Sequence, residues 1–257
     1  MSPVRAYCTQ VHAVTAAEVL KLVHDPMDLF SRAVQPILWL LLFGQVMARV
    51  RGLGTGSYLD FLAAGVLAQS VLFVSIFYGL SAIWERDLGS LHRYLVSPAP
   101  RSALVLGKAI ASSVRAMSQG AVVYGCSALL GVKLSFLPLS LLGVASLIFI
   151  ASALFSTFSL IIACIVRTRE RFMGIGQFLT MPIFFASNAV YPIELMPRWL
   201  QVIAHVNPLT FLVDGLRGLM LANGRPHFPF VMDFGVPLVL FALFLVIASR
   251  LFSRLAE

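Results

Sequence analysis

Two long stretches of this sequence, 61–83 and 134–166, carry no charged residue at all. A helix crosses the hydrocarbon core of a bilayer with about 20 apolar residues. The first stretch therefore has the length of one tilted crossing. The second is too long for one straight crossing and too short for two, so part of it belongs to a turn or to the interface. Composition agrees: 59% of residues are hydrophobic and 12% charged, where a soluble domain has about a quarter charged. Alternating segments of about ten residues, the mark of a membrane barrel, are absent. The expected class is an all-α membrane protein.

Read in order, residues 1–28 form an N-terminal leader. Val11, Val14, Leu20, Leu22 and Val23 are mixed there with Glu18, Lys21 and His24, which suits a helix lying in the membrane interface. The first span covers 29–47, with Pro36 tolerated in its early turns, and the second covers 61–83. The third runs over 104–132 and contains Arg115. A charge facing lipid near the bilayer centre costs about 3 kcal/mol or more, so Arg115 either snorkels to the interface, the preferred reading, or points into the protein. Pro138 starts the fourth span, which ends before the basic run 167–171. The fifth covers 172–189 with Pro182 in its middle, where a proline kinks or breaks a helix. The sixth is 229–249, entered through Asp233 and Pro237, and 250–257 is a short tail. The whole chain, 1–257, reads as a single transmembrane domain.

Sidedness follows from the basic residues. Arg5, Lys21, Arg32, Arg86, Arg93, Arg101, Lys108, Arg167, Arg169, Arg171, Arg250 and Arg254 fall on one side; Arg49, Arg51, Lys133, Arg198, Arg217 and Arg225 fall on the other. The excess marks the cytosolic face, which puts both termini and the loop 84–108 in the cytosol. This placement at loop edges, rather than on one soluble face, also argues against nucleic acid as a partner.

The loop 84–108 is a polar interval between apolar runs. Leu88, Leu91 and Leu95 recur at helical spacing while Asp87, Ser90, His92 and Arg93 fall on other faces, the pattern of a short amphipathic helix. Ser97, Pro98, Ala99 and Pro100 end it. Its residues resemble the loop E-R-E-x-G-T-L-E-x-L-L-V-S-P, followed by G-K, of permease subunits of type-2 ABC exporters, the group with drug-resistance, nodulation-factor and polysaccharide export permeases. Glu85, Arg86, Asp87, Gly89, Ser90, Leu91, Leu95, Val96, Ser97, Pro98, Gly107 and Lys108 stand in the matching places; His92 departs from the family's usual Glu. The resemblance implies a cytoplasmic coupling helix that contacts a separate ATPase subunit through Glu85, Arg86, Asp87, Gly89, Ser90, Leu91, His92, Arg93, Leu95 and Pro98.

A second match lies between the fifth and sixth spans. Pro192, Glu194, Pro197, Trp199, Leu200, Asn207, Pro208, Leu209, Thr210, Val213, Asp214, Leu216 and Arg217 fill the family pattern there. Independently of that, Pro197 and Pro208 each start a helix too short and too polar to cross a bilayer. Asp214 and Arg217, three apart, are placed to form a local ion pair. Broken backbone at membrane depth must be covered by protein. The resemblance makes these two pieces re-entrant helices that close the exit of an export path, with Tyr191, Pro192, Met196, Pro197, Trp199, Asn207, Pro208, Asp214 and Arg217 as outer-gate residues.

No G-x-x-x-x-G-K-[ST] loop is present, since Gly107 and Lys108 are followed by Ala109 and preceded at the required distance by Ser102. The chain itself is expected to hold no cofactor, with ATP and Mg in a partner ATPase, and to be no enzyme. Six spans form half of a transporter core, so a second permease copy or paralogue and two ATPase subunits are expected. Small residues at 109–113 and 151–156 would let helices approach closely. Cys8, Cys126 and Cys164 are scattered and give neither a disulfide framework nor a metal site, and the histidines lie outside the spans. No span is expected to bury an Asp, Glu or His, which counts against an intramembrane enzyme or a proton-coupled carrier. Phe73, Phe77, Tyr78, Gln119, Phe155, Phe184 and Asn188 are candidates for the substrate path. The functional expectation is a multi-pass permease of a bacterial inner membrane exporting a hydrophobic or amphiphilic, drug-like or lipid-like substrate. A glycolipid or polysaccharide permease of the same family and an ATP-independent carrier or assembly protein are the alternatives.

Overall fold

The computed structural model describes residues 3–24, 34–44, 46, 58–88, 100–166 and 168–252. Among the described residues, the named α-helices are α1 (Pro3–His24), α2 (Tyr58–Asp87), α3 (Arg101–Leu129), α4 (Pro138–Ile165), α5 (Arg169–Phe185), α6 (Arg198–Val206), α7 (Pro208–Met220) and α8 (Phe230–Leu251), with a π-helical segment at Trp39–Gly44 and a 3-10 turn at Ile193–Leu195. Three of them, α2, α4 and α8, are long and apolar enough to cross a membrane. Among the described residues there is no strand, only an isolated bridge between Leu134 and Leu221.

Helix α4 is the hub, packed against α2, α3, α7 and α8. Its sequence explains why. Lipid tails are as apolar as leucine, so helices in a membrane associate through close packing and polar contacts rather than through burial of grease. Ser152 of α4 lies 2.8 Å from the hydroxyl of Ser75 on α2 and 3.2 Å from that of Ser112 on α3, all three wholly buried. Ser113 donates to the Phe149 carbonyl at 2.9 Å, and Ser159 donates to that of Ile76. A methyl group at Gly79 of α2 would collide with Ser159, so glycine is what lets α2 and α4 meet this closely. Of these, Ser112, Ser113 and Ser152 come from the small-residue stretches 109–113 and 151–156.

At its periphery the bundle is apolar. Helix α8 leaves Val231, Leu238, Val239, Leu243 and Val246 exposed, a greasy outer face of the kind a bilayer covers. Helix α1, by contrast, is docked along α3.

Several boundaries move. The N-terminal helix occupies Pro3–His24 of the expected 1–28 segment. Helix α3 begins at Arg101 and ends at Leu129, and α5 begins at Arg169 and ends at Phe185, so Pro182 sits in its last turn rather than in its middle. Helix α2 continues past residue 83 through Asp87. Glu85, Arg86 and Asp87 are therefore its final turn, not the start of a separate loop helix. The expectation that no span buries an acid is wrong: Asp233 lies in the first turn of α8 and Glu85 near the end of α2, both buried. Buried carboxylates need partners that a single sequence does not display, and the argument they supported against an ion-coupled carrier falls with it. The expected first span, 29–47, is described only over 34–44 and 46.

Candidate functional site: a buried ion lock beside the 84–98 loop

Segments far apart in sequence converge at one end of the bundle. Val14 of α1, Ile83 of α2, Leu104 and Val105 of α3, Phe172 of α5 and Phe252 just after α8 share one apolar cluster. They are the segments that the basic residues assign to a common side. Gly107 lets α1 lie directly on α3, since a Cβ there would come within 2.8 Å of Val14, and Thr15 donates to the Val11 carbonyl at 2.9 Å with the Gly107 carbonyl 3.2 Å away.

Above that contact sits a charge cluster. Lys108 of α3, only 1% exposed, places its Nζ 3.0 Å from Glu18 Oε1 of α1 and 2.7 Å from Glu85 Oε2 of α2. Lys21 of α1 closes the ring, 3.1 Å from Glu18 Oε1 and 2.9 Å from Glu85 Oε1. Two ammonium and two carboxylate groups cancel, which is the condition for holding charges away from water. Burial alone would raise the Glu18 carboxyl, but Lys108, the contact with Glu85 and Lys21 together outweigh it and hold it at about 2. Burial opposes the charge on Lys21 as well, yet its bonds to Glu85 and Glu18 hold it above the ordinary lysine value.

Beside this ring, Asp87 Oδ2 accepts from Arg169 Nε of α5 at 2.8 Å and Oδ1 from Arg86 at 3.2 Å, and the Arg169 guanidinium lies 5.2 Å from the centre of the Trp84 ring. Exposure leaves little burial penalty on Asp87, and the two arginines keep its carboxyl below the usual range. The last turn of α2 is thus tied to α1, α3 and α5 at the point where the chain enters the 89–99 segment. Gly89, Ser90, Leu91, His92, Arg93, Leu95 and Pro98, expected on the coupling helix, lie outside the described residues.

Sequence reasoning singled out Glu85 and missed its partners. By sequence Lys108 stands with the loop-edge cations, though a lysine inside an apolar run already demands an acid nearby. Glu18 and Lys21, three apart on α1, were the remaining signal. Arg115 packs against the protein, its guanidinium 5.7 Å from the centre of the Tyr78 ring on α2.

The opposite end holds the expected gate residues. Asn207 caps α7 by accepting from Leu209 N–H at 3.0 Å and donates to the Ile183 carbonyl at 2.7 Å; Pro208 opens that helix, and Pro197 caps α6. Tyr191, Trp199, Asn207 and Pro208 line one side of an apolar groove of about 750 Å³ with Phe185 and Pro182 of α5, whereas Met196 is buried in a small cluster with Ile193 and Ala204 and Pro192 caps the 3-10 turn. The expected Asp214–Arg217 ion pair does not form. Asp214 Oδ2 accepts from the Phe228 N–H at 2.7 Å, while Arg217 donates to the Asn188 carbonyl at 3.0 Å and stacks 3.8 Å from the Phe61 ring centre. Backbone and ring groups brought close by packing take the place of the neighbouring charge, although Arg217 Nε itself stays without a hydrogen-bond partner among the described residues.

Of the expected path residues, Phe73, Phe77 and Gln119 line a cavity of about 420 Å³ between α2, α3, α5 and the 34–44 segment. Tyr78, Phe155 and Phe184 are packed in the interior, Phe184 edge-on to Trp39, and Asn188 is buried beside α7.

The profile of the ABC-2 type transporter family matches residues 9–221. The chain is 31% identical over 205 residues to the ycf38 protein of Cyanophora paradoxa, named as a transport permease, covering 78% of this chain and 70% of that one. It is 25% identical over 249 residues to the inner membrane transport permease YadH of Escherichia coli K12, with 91% and 92% covered. It is 25% identical over 197 residues to the daunorubicin resistance ABC transporter permease protein DrrB1 of Streptomyces coeruleorubidus, with 77% and 70% covered. The chain belongs to the ABC-2 type transporter family.

Proposed function

We propose that this chain is the membrane subunit of an ATP-driven exporter, in which a separate ATPase presses on the 84–98 segment and the bundle turns that push into alternating access. The observation that carries this reading is the mechanical continuity of the last turn of α2. Glu85 is locked to α1 and α3, and Asp87 to α5, so displacement of the neighbouring segment cannot be absorbed by one loose helix end. A chain in this role needs no nucleotide site of its own. The full arrangement is six spans with both termini cytosolic in a bacterial inner membrane, a second permease copy, two ATPase subunits, and α6 and α7 as re-entrant pieces at the outer exit; the name of YadH supports the membrane. The cargo is a hydrophobic or amphiphilic molecule, a reading that the name of DrrB1 and the apolar path support.

The test is co-purification of the tagged permease with the product of an adjacent ATPase gene, followed by ATP hydrolysis in lipid vesicles. The complex should form, and Gly89→Trp should lower permease-dependent hydrolysis while membrane insertion is kept. A permease that never retains the ATPase, or a Gly89→Trp variant with full coupling, sinks the proposal in favour of an ATP-independent membrane protein.

A further inference from the structure

The cavity of about 420 Å³ is lined by an unusual set of groups. Gln35 of the 34–44 segment, Gln69 of α2, Gln119 of α3 and Gln177 of α5 each bring a carboxamide to it, and Phe73 and Phe77 of α2 form an apolar wall, their ring centres 6.1 Å apart. None of the described lining residues is ionisable. Gln119 is 1% exposed, and neither its amide nitrogen nor its amide oxygen finds a partner among the described residues. Buried amides in folded proteins are almost always hydrogen-bonded, and an orphan one calls for an explanation. Here donor and acceptor are both unspent on the wall of a space of ligand size.

A carboxamide that offers one donor and one acceptor side by side matches a hydroxyl, which also gives and takes one hydrogen bond. It offers nothing to compensate a full charge, which would find no counter-charge among the described lining residues, and an uncompensated charge leaving water costs far more than a hydroxyl does. We propose that this cavity binds an uncharged amphiphile whose hydroxyl-bearing head, as in a glycoside, is held by Gln119 and Gln69, with its apolar part on Phe73 and Phe77. The site rests on the export reading above for its purpose and refines it by selecting neutral hydroxylated cargo over cations and anions. A sugar on a lipid tail and a sugar on a ring compound present the same head to the amides.

The experiment uses the full chain in lipid nanodiscs without any ATPase, so it can fail while the ATPase complex still forms, and the reverse. Three photoreactive probes with the same diazirine-bearing octyl chain are compared: a glucoside, a trimethylammonium and a sulfate. The glucoside should label the α2 peptide containing Phe73 and Phe77 about tenfold more than either charged probe. Unlabelled octyl glucoside and phenyl glucoside serve as competitors to separate lipid-like from ring-bearing glycosides; competition by either supports the site. Gln119→Leu, which replaces an orphan amide by an apolar group of similar size, should fold normally and lose about tenfold of the glucoside signal. Gln119→Glu should shift preference toward the trimethylammonium probe. Equal labelling by all three probes, preference for a charged one in the unaltered protein, or glucoside labelling untouched by Gln119→Leu overturns the proposal.

Discussion

Lys108→Met is the most informative single perturbation. Lys108 is shared between Glu18 and Glu85 at 3.0 and 2.7 Å, with side-chain exposures of 2%, 3% and 9% for the three groups. Removing it takes away the one buried cation that both carboxylates share among the described residues and leaves them with Lys21, whose side chain is half in water at 52%. Methionine fills the volume of the lysine stem, so the loss is electrostatic rather than a cavity. Deleting one partner of a buried ion pair costs about 3–5 kcal/mol. That corresponds to a factor of roughly 10² to 4 × 10³ in the equilibrium between docked and released α1. Release can be read by placing a cysteine at position 14, buried against Gly107 in the docked state, in a background without the native cysteines, and following alkylation in detergent. Val14→Cys should be protected alone and should react about a hundredfold faster with Lys108→Met. Adding Glu18→Gln leaves Glu85 paired with Lys21 at 2.9 Å and restores neutrality, so most of the protection should return. If Lys108→Met leaves position 14 as protected as before, or Glu18→Gln restores nothing, the ion lock does not hold α1.

Glu18 is held at about 2 against an ordinary 4.5, so its contribution to docking is complete above pH 4.5 and is lost as pH falls from there toward 2; protection of Val14→Cys should be flat from about pH 8 to 5 and fall below about 4, and Glu18→Gln should flatten that fall. Gly107→Val puts its side chain into Val14 at 2.8 Å; overpacking of this kind costs about 1–3 kcal/mol and should raise alkylation at position 14 without touching any charge. Asn207→Ala removes both the cap of α7 and the bond to the Ile183 carbonyl, a loss of about 1–3 kcal/mol that should appear as a lower thermal unfolding midpoint in detergent. Arg169→Gln should leave that midpoint nearly unchanged, because its pair with Asp87 is exposed.

How much of this was legible beforehand depends on the range over which each signal acts. Uncharged runs long enough for a bilayer announce membrane helices wherever they occur, and Pro138, Pro197 and Pro208 mark helix starts because each lacks the donor that a helix interior needs. The Glu85-to-Pro98 and Pro192-to-Arg217 patterns carry the resemblance to the family. Those signals are local, written within a turn or two of backbone, and the sequence alone was enough to read them. The partners of buried charges are different. Glu18, Glu85 and Lys108 lie in three separate helices, Arg217 chose the Asn188 carbonyl and Phe61 over its neighbour Asp214, and Asp233 is buried in a helix that is otherwise greasy. Electrostatic and hydrogen-bonding choices of this kind depend on which groups are brought within about 3 Å by packing, and no spacing along the chain records that distance. The same holds for Gln35, Gln69, Gln119 and Gln177: as separate letters they are polar residues in apolar helices, Gln119 among the path candidates, and only the folded bundle gathers the four around one cavity.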